Sequence, residues 1–450
     1  MEPTNPNTDE AQKRVFIHTF GCQMNEYDSG KMRAKLAKDG FVSTDEPDQA
    51  DLILLNTCSV RDKAVVKMHS ALGEYRKLKK SGKNVKIGVT GCVAQMEGDA
   101  LMSRYKDLDM VFGPDGVPHV NTLVSNVMQG NRVADTKFLD LETYPFVTEV
   151  DPQSSSGTGA FVTIQKGCDN KCTFCIVPST RGAEASRPSD QIVQEVRDVV
   201  RQGVKEITLI GQNVNSYGLK SAHEITFAQL LYRVAEVSGV ERIRYTTSHP
   251  RDMGEDVIQA YRDLPQLTSH LHLPVQSGSS RILRRMKRFY TREKYLRVID
   301  ALRDARPDIA LSTDIIVGFP SETDADFEDT MTLLDEVGFA SSFSFKYSPR
   351  PGTPALRLKD AVPAEVASAR LTRFQARQKE LGIRYLQSIQ GQVLDVLVEG
   401  TSKQDDRVVC GRSSTYVMVN FPGSIDLVGQ TVPVTVTKGF THSCRGERVL

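Results

Sequence analysis

Between Ala160 and Pro349 the chain repeats one pattern: six short apolar runs separated by five helix-periodic segments. The runs are AFVTIQ, EITLIG, RIRYTTS, HLHLPV, LSTDIIVGF and SSFSFKYS. Strand alternating with helix at this spacing commits the segment to parallel pairing, because parallel neighbours need a long crossover and the helix supplies it. Six units predict a partial (β/α)6 barrel; the two further strands of an eight-unit barrel are not in the pattern. The clearest helix is SDQIVQEVRDVVRQG, in which Ile192, Val193, Val196, Val199 and Val200 share one face. Ser189 or Asp190 is its expected N-cap, and Gly203 follows its end.

The flanking segments read differently. From Arg14 to about Ala134, the runs VFIHTF, DLILLNT, VKIGVT and MVF alternate with helical stretches, which predicts a small parallel α/β sheet. DPQSSSGTG (151–159) reads as a linker. Residues 363–390 form an amphipathic helical pattern. Beyond Gly391, QVLDVLVEG, VVCGR, TYVMVNF and TVPVTVTKG predict a small all-β barrel of about 60 residues. The expected class is therefore α/β with three domains: 14–150, a parallel α/β sheet; 151–387, the partial barrel; and 388–450, the β-barrel.

Composition narrows the function classes. A chain of 450 residues with net charge +1 carries no global signal for nucleic acid, so any RNA surface must be local. No apolar run approaches a membrane span, and MEPTNPNTDEAQKR lacks the apolar core of a secretory leader. The expected compartment is the cytoplasm, without membrane contact. Eight cysteines are few for a disulfide scaffold of this length, so clustered thiols point to metal.

Two sets of cysteines stand out. In GCDNKCTFC, Cys168, Cys172 and Cys175 have the spacing C-x3-C-x2-C directly after the first barrel strand, at the end where such barrels place their chemistry. A closed zinc site needs a fourth ligand nearby; the next histidine is His223 and the next cysteine Cys410. Three thiolates on a four-iron cluster leave one iron open, a position that in metal sites usually belongs to substrate or cofactor. Cys22, Cys58 and Cys92 each follow a strand, in VFIHTFGC, DLILLNTC and VKIGVTGC. The carboxyl ends of a parallel sheet share one crevice, so these three thiols are expected to meet as a second such site.

The spacing of the first set, with Phe174 just before its last cysteine, resembles the radical S-adenosylmethionine superfamily. FGCQMNEYDS, LLNTCSVRDKA, GQNVNSYG, TSHP, LHLPVQSGSSRIL and TDIIVGFPSET extend the resemblance over nearly the whole chain to the methylthiotransferases. Within them it points to the branch acting on isopentenyladenosine in tRNA. The C-terminal segment resembles the TRAM RNA-binding module. Ser179 and Cys444 depart from the pattern, at positions expected to carry Tyr and Leu.

The resemblance implies two 4Fe-4S clusters, one on each cysteine set, and S-adenosylmethionine. It implies a tRNA substrate carrying isopentenyladenosine, an external electron donor such as a flavodoxin system, and a monomer. Alternatives in the same family methylthiolate threonylcarbamoyl-adenosine in tRNA or an aspartate of a ribosomal protein. A different class is a zinc-containing RNA-binding protein. Phe174, Gln212, Asn213, Ser248, Gln276 and Gly318 are the candidates for cofactor or base contacts. His249, His270 and His272 are expected to make structural hydrogen bonds. RILRRMKRFYTREKYLR (281–297) holds eight Lys or Arg and one Glu, so Arg281, Arg284 and Arg285 are candidate phosphate contacts. Arg370, Arg373, Arg377 and Arg384 share a face of the 363–390 helix, and Arg373 and Arg377 join that set. From Ser388 onward, six basic residues balance six acidic ones, so an RNA role for the terminal barrel rests on resemblance and not on charge.

Overall fold

A computed structural model of the chain describes residues 12–59, 62–151, 157–403 and 405–449. They form two compact units: one runs to Gln153 and also takes in Ser179–Arg181, and the other comprises the remainder. Of the expected linker, residues 152–156 lie outside the described residues.

The first unit is built on a wholly parallel sheet of β1 (Arg14–Phe20), β2 (Val42–Ser43), β3 (Leu52–Thr57), β4 (Lys86–Gly91), β5 (Met110–Phe112) and β6 (Val133–Asp135). The order is β2-β1-β3-β4-β5-β6. β3 is central and buried along its whole length. Its alternation feeds two cores. Ile53 and Leu55 pack with Met68, Leu72, Ile87 and Val89; Leu52 and Leu54 pack with Met32, Leu36, Met110 and Phe112. Both faces are covered, which is why LILL carries no polar residue. β2 and β6, absent from the sequence reading, are edge strands of two and three residues, too short to show a period.

The second unit carries β7 (Gly159–Thr163), β8 (Gln165–Lys166), β9 (Ala185–Ser186), β10 (Glu206–Ile210), β11 (Arg242–Tyr245), β12 (His270–His272), β13 (Ala310–Val317) and β14 (Ser341–Lys346). The parallel sheets β7-β10-β11 and β12-β13-β14 are joined by the bridge Ile243–Leu267, giving an open partial barrel of six strands. β8 and β9 form an antiparallel ribbon. Its ends hold the loop 167–184, which contains the three clustered cysteines. The helix after it is Ser189–Arg201, with Pro188 at the cap. This corrects the expected cap: Ser189 lies inside the helix and its hydroxyl accepts from Arg233. Gly203, at φ +98°, ends the turn as expected.

The helix Ala364–Ser388 leads to a closed barrel of β15 (Val393–Thr401), β16 (Val408–Ser413), β17 (Met418–Pro422), β18 (Thr431–Gly439) and β19 (Cys444–Arg448). β19 was not expected, because CRGER has no β-type pattern; it is held by pairing with both β17 and β18. Leu386 and Ile389 from the helix end join Val398, Val419, Phe421, Val434 and Cys444 in the barrel core. The barrel is bolted to β11. Arg242 donates to the carbonyls of Arg412 and Asp395, and Arg244 to that of Ser413. The Tyr416 ring stacks on His270 at 5.0 Å and lies under Arg244 at 4.4 Å. No described helix is long and apolar enough to cross a membrane.

Candidate active site

In the first unit, Cys22 caps the helix Gln23–Lys38, Cys58 directly follows β3, and Cys92 opens the helix Cys92–Arg104. β1, β3 and β4 are neighbours, and neighbouring strands lie roughly 5 Å apart. The carboxyl end of the sheet therefore carries all three residues after adjacent strands. The Cys58 amide donates to the Phe20 carbonyl at 2.8 Å, which fixes the step between the first two. The Asn25 amide donates to Asn56 at 2.8 Å, and Asn56 donates back to the Asn25 carbonyl and to Ser29. This buried set locks the Cys22 turn to the end of β3. Gly91 sits at φ +86°, where a Cβ would lie 2.5 Å from Asn56 Oδ1, so no other residue fits before Cys92. The Cys58 thiol, with help from Arg181 and against burial, holds the Cys22 thiol down to about 6.

The second set lies in the loop closed by β8 and β9. Gly167 has φ +72°, and a Cβ there would lie 1.9 Å from the Ala183 carbonyl oxygen. Its amide donates to Gln212 Oε1 at 2.5 Å. Cys168 donates to the Gly182 carbonyl, and Cys175 to that of Cys172. Thr173 is bonded to the carbonyls of Met286 and Arg285. Burial pushes the thiol of Cys168 up to about 11 and that of Cys175 up to about 12, with neighbouring thiols adding to the effect. Burial thus disfavours the free thiolates, and it is ligation by a metal centre that would draw the protons off. Among the described residues no three cysteine, histidine or acidic side chains converge tightly enough for one shared metal ion. A four-iron cluster holds its thiolates farther apart than a single ion does. Three soft donors in each set, with no fourth, suit such a cluster.

The strand ends beside this loop supply polar atoms that lack partners. Asn213 Oδ1 after β10, Ser248 Oγ and His249 Nε2 after β11, and Gln276 Oε1 after β12 are all buried and unbonded. Buried polar atoms are nearly always satisfied, and these four orphans on three successive strand ends are candidates for contacts to a polar ligand. Gln276 and Thr247 also hold left-handed backbone, at φ +75° and +68°. Gly318 stands at φ +70°, where a Cβ would meet Ala367 at 2.6 Å; its amide donates to Glu322. Two candidates behave differently. Gln212 is engaged by Gly167 and braces the cysteine loop, and the Phe174 ring packs on the Ile282, Met286 and Phe319 cluster.

A cleft of about 310 Å³ opens at Asn213, the one of the strand-end candidates in its lining, and is bordered also by Asp169, Lys171, Glu184 and Arg251. Sequence reasoning singled out only Asn213 of these. Glu184 bonds Ser216 at 2.9 Å, Lys220 pairs with Asp169 at 2.5 Å, and Arg251 reaches Asn170 at 2.8 Å. Their signal was position: Glu184 closes the cysteine loop, and Arg251 follows TSHP. A larger hollow of about 440 Å³ lies against the outer helices Ser189–Arg201 and Phe227–Ala235; neither cavity has a cysteine in its lining, and the smaller one is bordered by Asp169, Asn170 and Lys171 of the cysteine loop.

His270 and His272 both bond Ser312 Oγ, at 3.1 and 3.0 Å, a structural role as expected. His249 Nδ1 accepts from the Arg251 amide, and burial with the nearby Arg288 pushes the ring down to about 2, so it stays neutral. The candidate RNA contacts are partly engaged. Arg281 pairs with Asp326, Arg373 with Glu328, and Arg377 with Asp335. Arg370 is buried against Glu322 at 2.9 Å. Arg284 is exposed, and Arg285 is half-buried beside the cysteine loop.

The chain matches the Radical SAM superfamily over residues 162–334, the Uncharacterized protein family UPF0004 over 14–113 and the TRAM domain over 387–449. It is 47% identical over 441 residues to the tRNA-2-methylthio-N(6)-dimethylallyladenosine synthase of Methylococcus capsulatus, covering 97% of this chain and 96% of that one. It is 48% identical over 447 residues to the enzyme of the same name from Aromatoleum aromaticum, covering 97% and 99%. Among solved structures, its fold is similar to that of a radical S-adenosylmethionine methyltransferase, TsrM, from Kitasatospora setae with cobalamin and a 4Fe-4S cluster bound. The TM-score is 0.56 at 15% identity, over 76% of this chain and 77% of that one.

Proposed function

The chain belongs to the family of the tRNA-2-methylthio-N(6)-dimethylallyladenosine synthases, and we propose on that footing how its residues divide the work. The enzyme places a methylthio group on carbon 2 of N6-dimethylallyladenosine (isopentenyladenosine) in tRNA. The observation that carries this is similarity over 97% of the chain, at 47–48% identity, to enzymes of that name. The reading as a zinc-containing RNA-binding protein falls with it.

Cys168, Cys172 and Cys175 hold the 4Fe-4S cluster that radical S-adenosylmethionine enzymes use, and Cys22, Cys58 and Cys92 hold a second. Carbon 2 of the base carries a C–H bond with no useful acidity, so a side-chain base cannot activate it. A cluster on Cys168, Cys172 and Cys175 would supply the electron that cleaves bound S-adenosylmethionine, methionine leaving, to a carbon radical able to abstract that hydrogen, and one on Cys22, Cys58 and Cys92 would hold the sulfur to be transferred. Asn213, Ser248 and Gln276 offer their unpartnered atoms to S-adenosylmethionine or the base, and the Gly318 turn shapes the wall beside them. Gln212 holds the cysteine loop in register through Gly167. Phe174 anchors that loop from below by packing.

Arg284, which is exposed, and the half-buried Arg285 take tRNA phosphate in this reading. Arg281, Arg373 and Arg377 reach RNA by exchanging their carboxylate partners for phosphate. The enzyme works as a monomer in the cytoplasm and draws electrons from an external donor of the flavodoxin type.

The test is anaerobic turnover. Reconstituted protein given S-adenosylmethionine, a strong reductant and tRNA bearing dimethylallyladenosine should form the 2-methylthio nucleoside. The Cys168→Ser variant should form none, and tRNA lacking the dimethylallyl group should stay unmodified. Modification of threonylcarbamoyl-adenosine instead would overturn the assignment.

A further inference from the structure

Arg288 lies in the basic run that the sequence assigns to solvent or RNA, yet it is only 6% exposed. Its Nη1 donates to Cys172 Sγ at 3.5 Å, its Nη2 to the Pro274 carbonyl at 2.8 Å and its Nε to the Tyr290 hydroxyl at 3.2 Å. Tyr290 is itself fixed by the Val275 carbonyl at 2.8 Å.

The backbone is bent to achieve this. Lys287 and Phe289, on either side, are both left-handed, at φ +55° and +59°. Each such residue costs on the order of 1 kcal/mol, and strain of this kind persists only where surrounding structure enforces it. The effect is to turn Arg288 inward while Phe289 stands 61% exposed.

No ion pair with a carboxylate is formed by Arg288 among the described residues. The other buried arginines of the unit have one: Arg187 with Glu195, Arg242 and Arg244 with Glu206, and Arg370 with Glu322. A buried guanidinium facing only neutral oxygens is strongly disfavoured, and Cys172 Sγ is the one soft, ionisable ligand atom among its hydrogen-bond partners.

We propose that Arg288 is a positioning residue that donates a charge-assisted hydrogen bond to the Cys172 sulfur and thereby sets the reduction potential of the cluster on Cys168, Cys172 and Cys175. This rests on the reading of those three cysteines as cluster ligands. A three-thiolate cluster is anionic and becomes more so on accepting an electron. A fixed positive charge and an N–H···S bond therefore stabilise the reduced form more than the oxidised form, and hydrogen bonds to cluster sulfurs are established levers on potential. The arginine makes the cluster easier to reduce by the external donor.

The experiment is an anaerobic redox titration, followed by electron paramagnetic resonance, of the full chain carrying Cys22→Ala, Cys58→Ala and Cys92→Ala, so that one cluster reports. That parent should hold about four irons; if it holds none, the cluster reading itself fails. Arg288→Met should shift the midpoint to more negative potential by at least a tenfold change in the reduced-to-oxidised ratio, about 59 mV for one electron. Arg288→Lys, which keeps the charge but loses the planar fork, should shift in the same direction by less. An unchanged midpoint in Arg288→Met with full iron overturns the proposal. If Arg288→Met does not retain iron, Arg288→Lys decides: a negative shift supports the proposal, and a parental midpoint overturns it.

Discussion

The guanidinium of Arg181 stands 2.8 Å from the carboxylate of Asp28, and both residues are buried. Arg181 belongs to the compact unit of the Cys22, Cys58 and Cys92 set although it follows Cys175 by six residues. Asp28, with Cys92 and Cys22 nearby, holds it firmly protonated against burial. Removing one partner leaves the other as an uncompensated buried charge. Asp28→Leu or Arg181→Met should each cost about 3–5 kcal/mol, and the double variant should recover most of that. Denaturant unfolding of the four proteins measures it, and strictly additive costs would contradict the pairing.

The two cysteine sets predict a count. Anaerobically purified protein should be brown, with about eight irons per chain if both clusters are four-iron. Serine at Cys22, Cys58 and Cys92 together should leave about four irons, and serine at Cys168, Cys172 and Cys175 together should do the same. Iron assay with visible absorption reads this directly. A colourless protein carrying zinc would contradict both assignments.

The orphaned atoms predict which strand-end residues bind S-adenosylmethionine. Asn213→Ala, Ser248→Ala and Gln276→Ala each remove a buried group awaiting a partner, and loss of one hydrogen bond to a polar or charged ligand costs about 1–2 kcal/mol, roughly tenfold in affinity. Gln212→Ala should instead lower iron retention, because it frees Gly167 at the root of the cysteine loop. Equilibrium binding of S-adenosylmethionine to iron-replete variants separates the two effects. Unchanged affinity in Gln276→Ala removes that residue from the site.

His270 gives a pH prediction. Burial, then Arg244 and His272, push its imidazole down to about 3. Its folded value lies below the unfolded value of about 6.5, so between them the unfolded chain binds more protons. This contribution is complete above about pH 6.5 and is lost on acidification, by at most about 1.4 kcal/mol per pH unit. His270→Gln should flatten that acid limb. Unfolding of wild type and variant in the same cluster state, at about pH 7.5 and about pH 5.5, tests this; equal pH slopes would contradict it.

What the sequence made legible was local pattern with a strong period. β3 reads as a strand because LILL is apolar on both faces, and the cysteines read as a set because each ends such a strand. The short edge strands β2 and β6 and the charged β19 carry no such period; partners distant in the chain create them. The basic run shows the same limit. Arg281, Arg373 and Arg377 meet carboxylates more than 40 residues away in sequence. The inward turn of Arg288 depends on two left-handed neighbours, Lys287 and Phe289, of types that do not advertise that conformation. The strand-end polar residues were legible as a class; which of them lacks a partner was decided by tertiary packing, as Gln212 and Gln276 illustrate.

The most direct measurement is mass spectrometry of tRNA nucleosides from a strain lacking this protein. N6-isopentenyladenosine should accumulate without its 2-methylthio form. The wild-type chain should restore that form, and a chain with Cys168→Ser or with Cys58→Ser should not. An unchanged level of the 2-methylthio nucleoside in the deletion strain, or full restoration by the Cys168→Ser chain, would contradict the account.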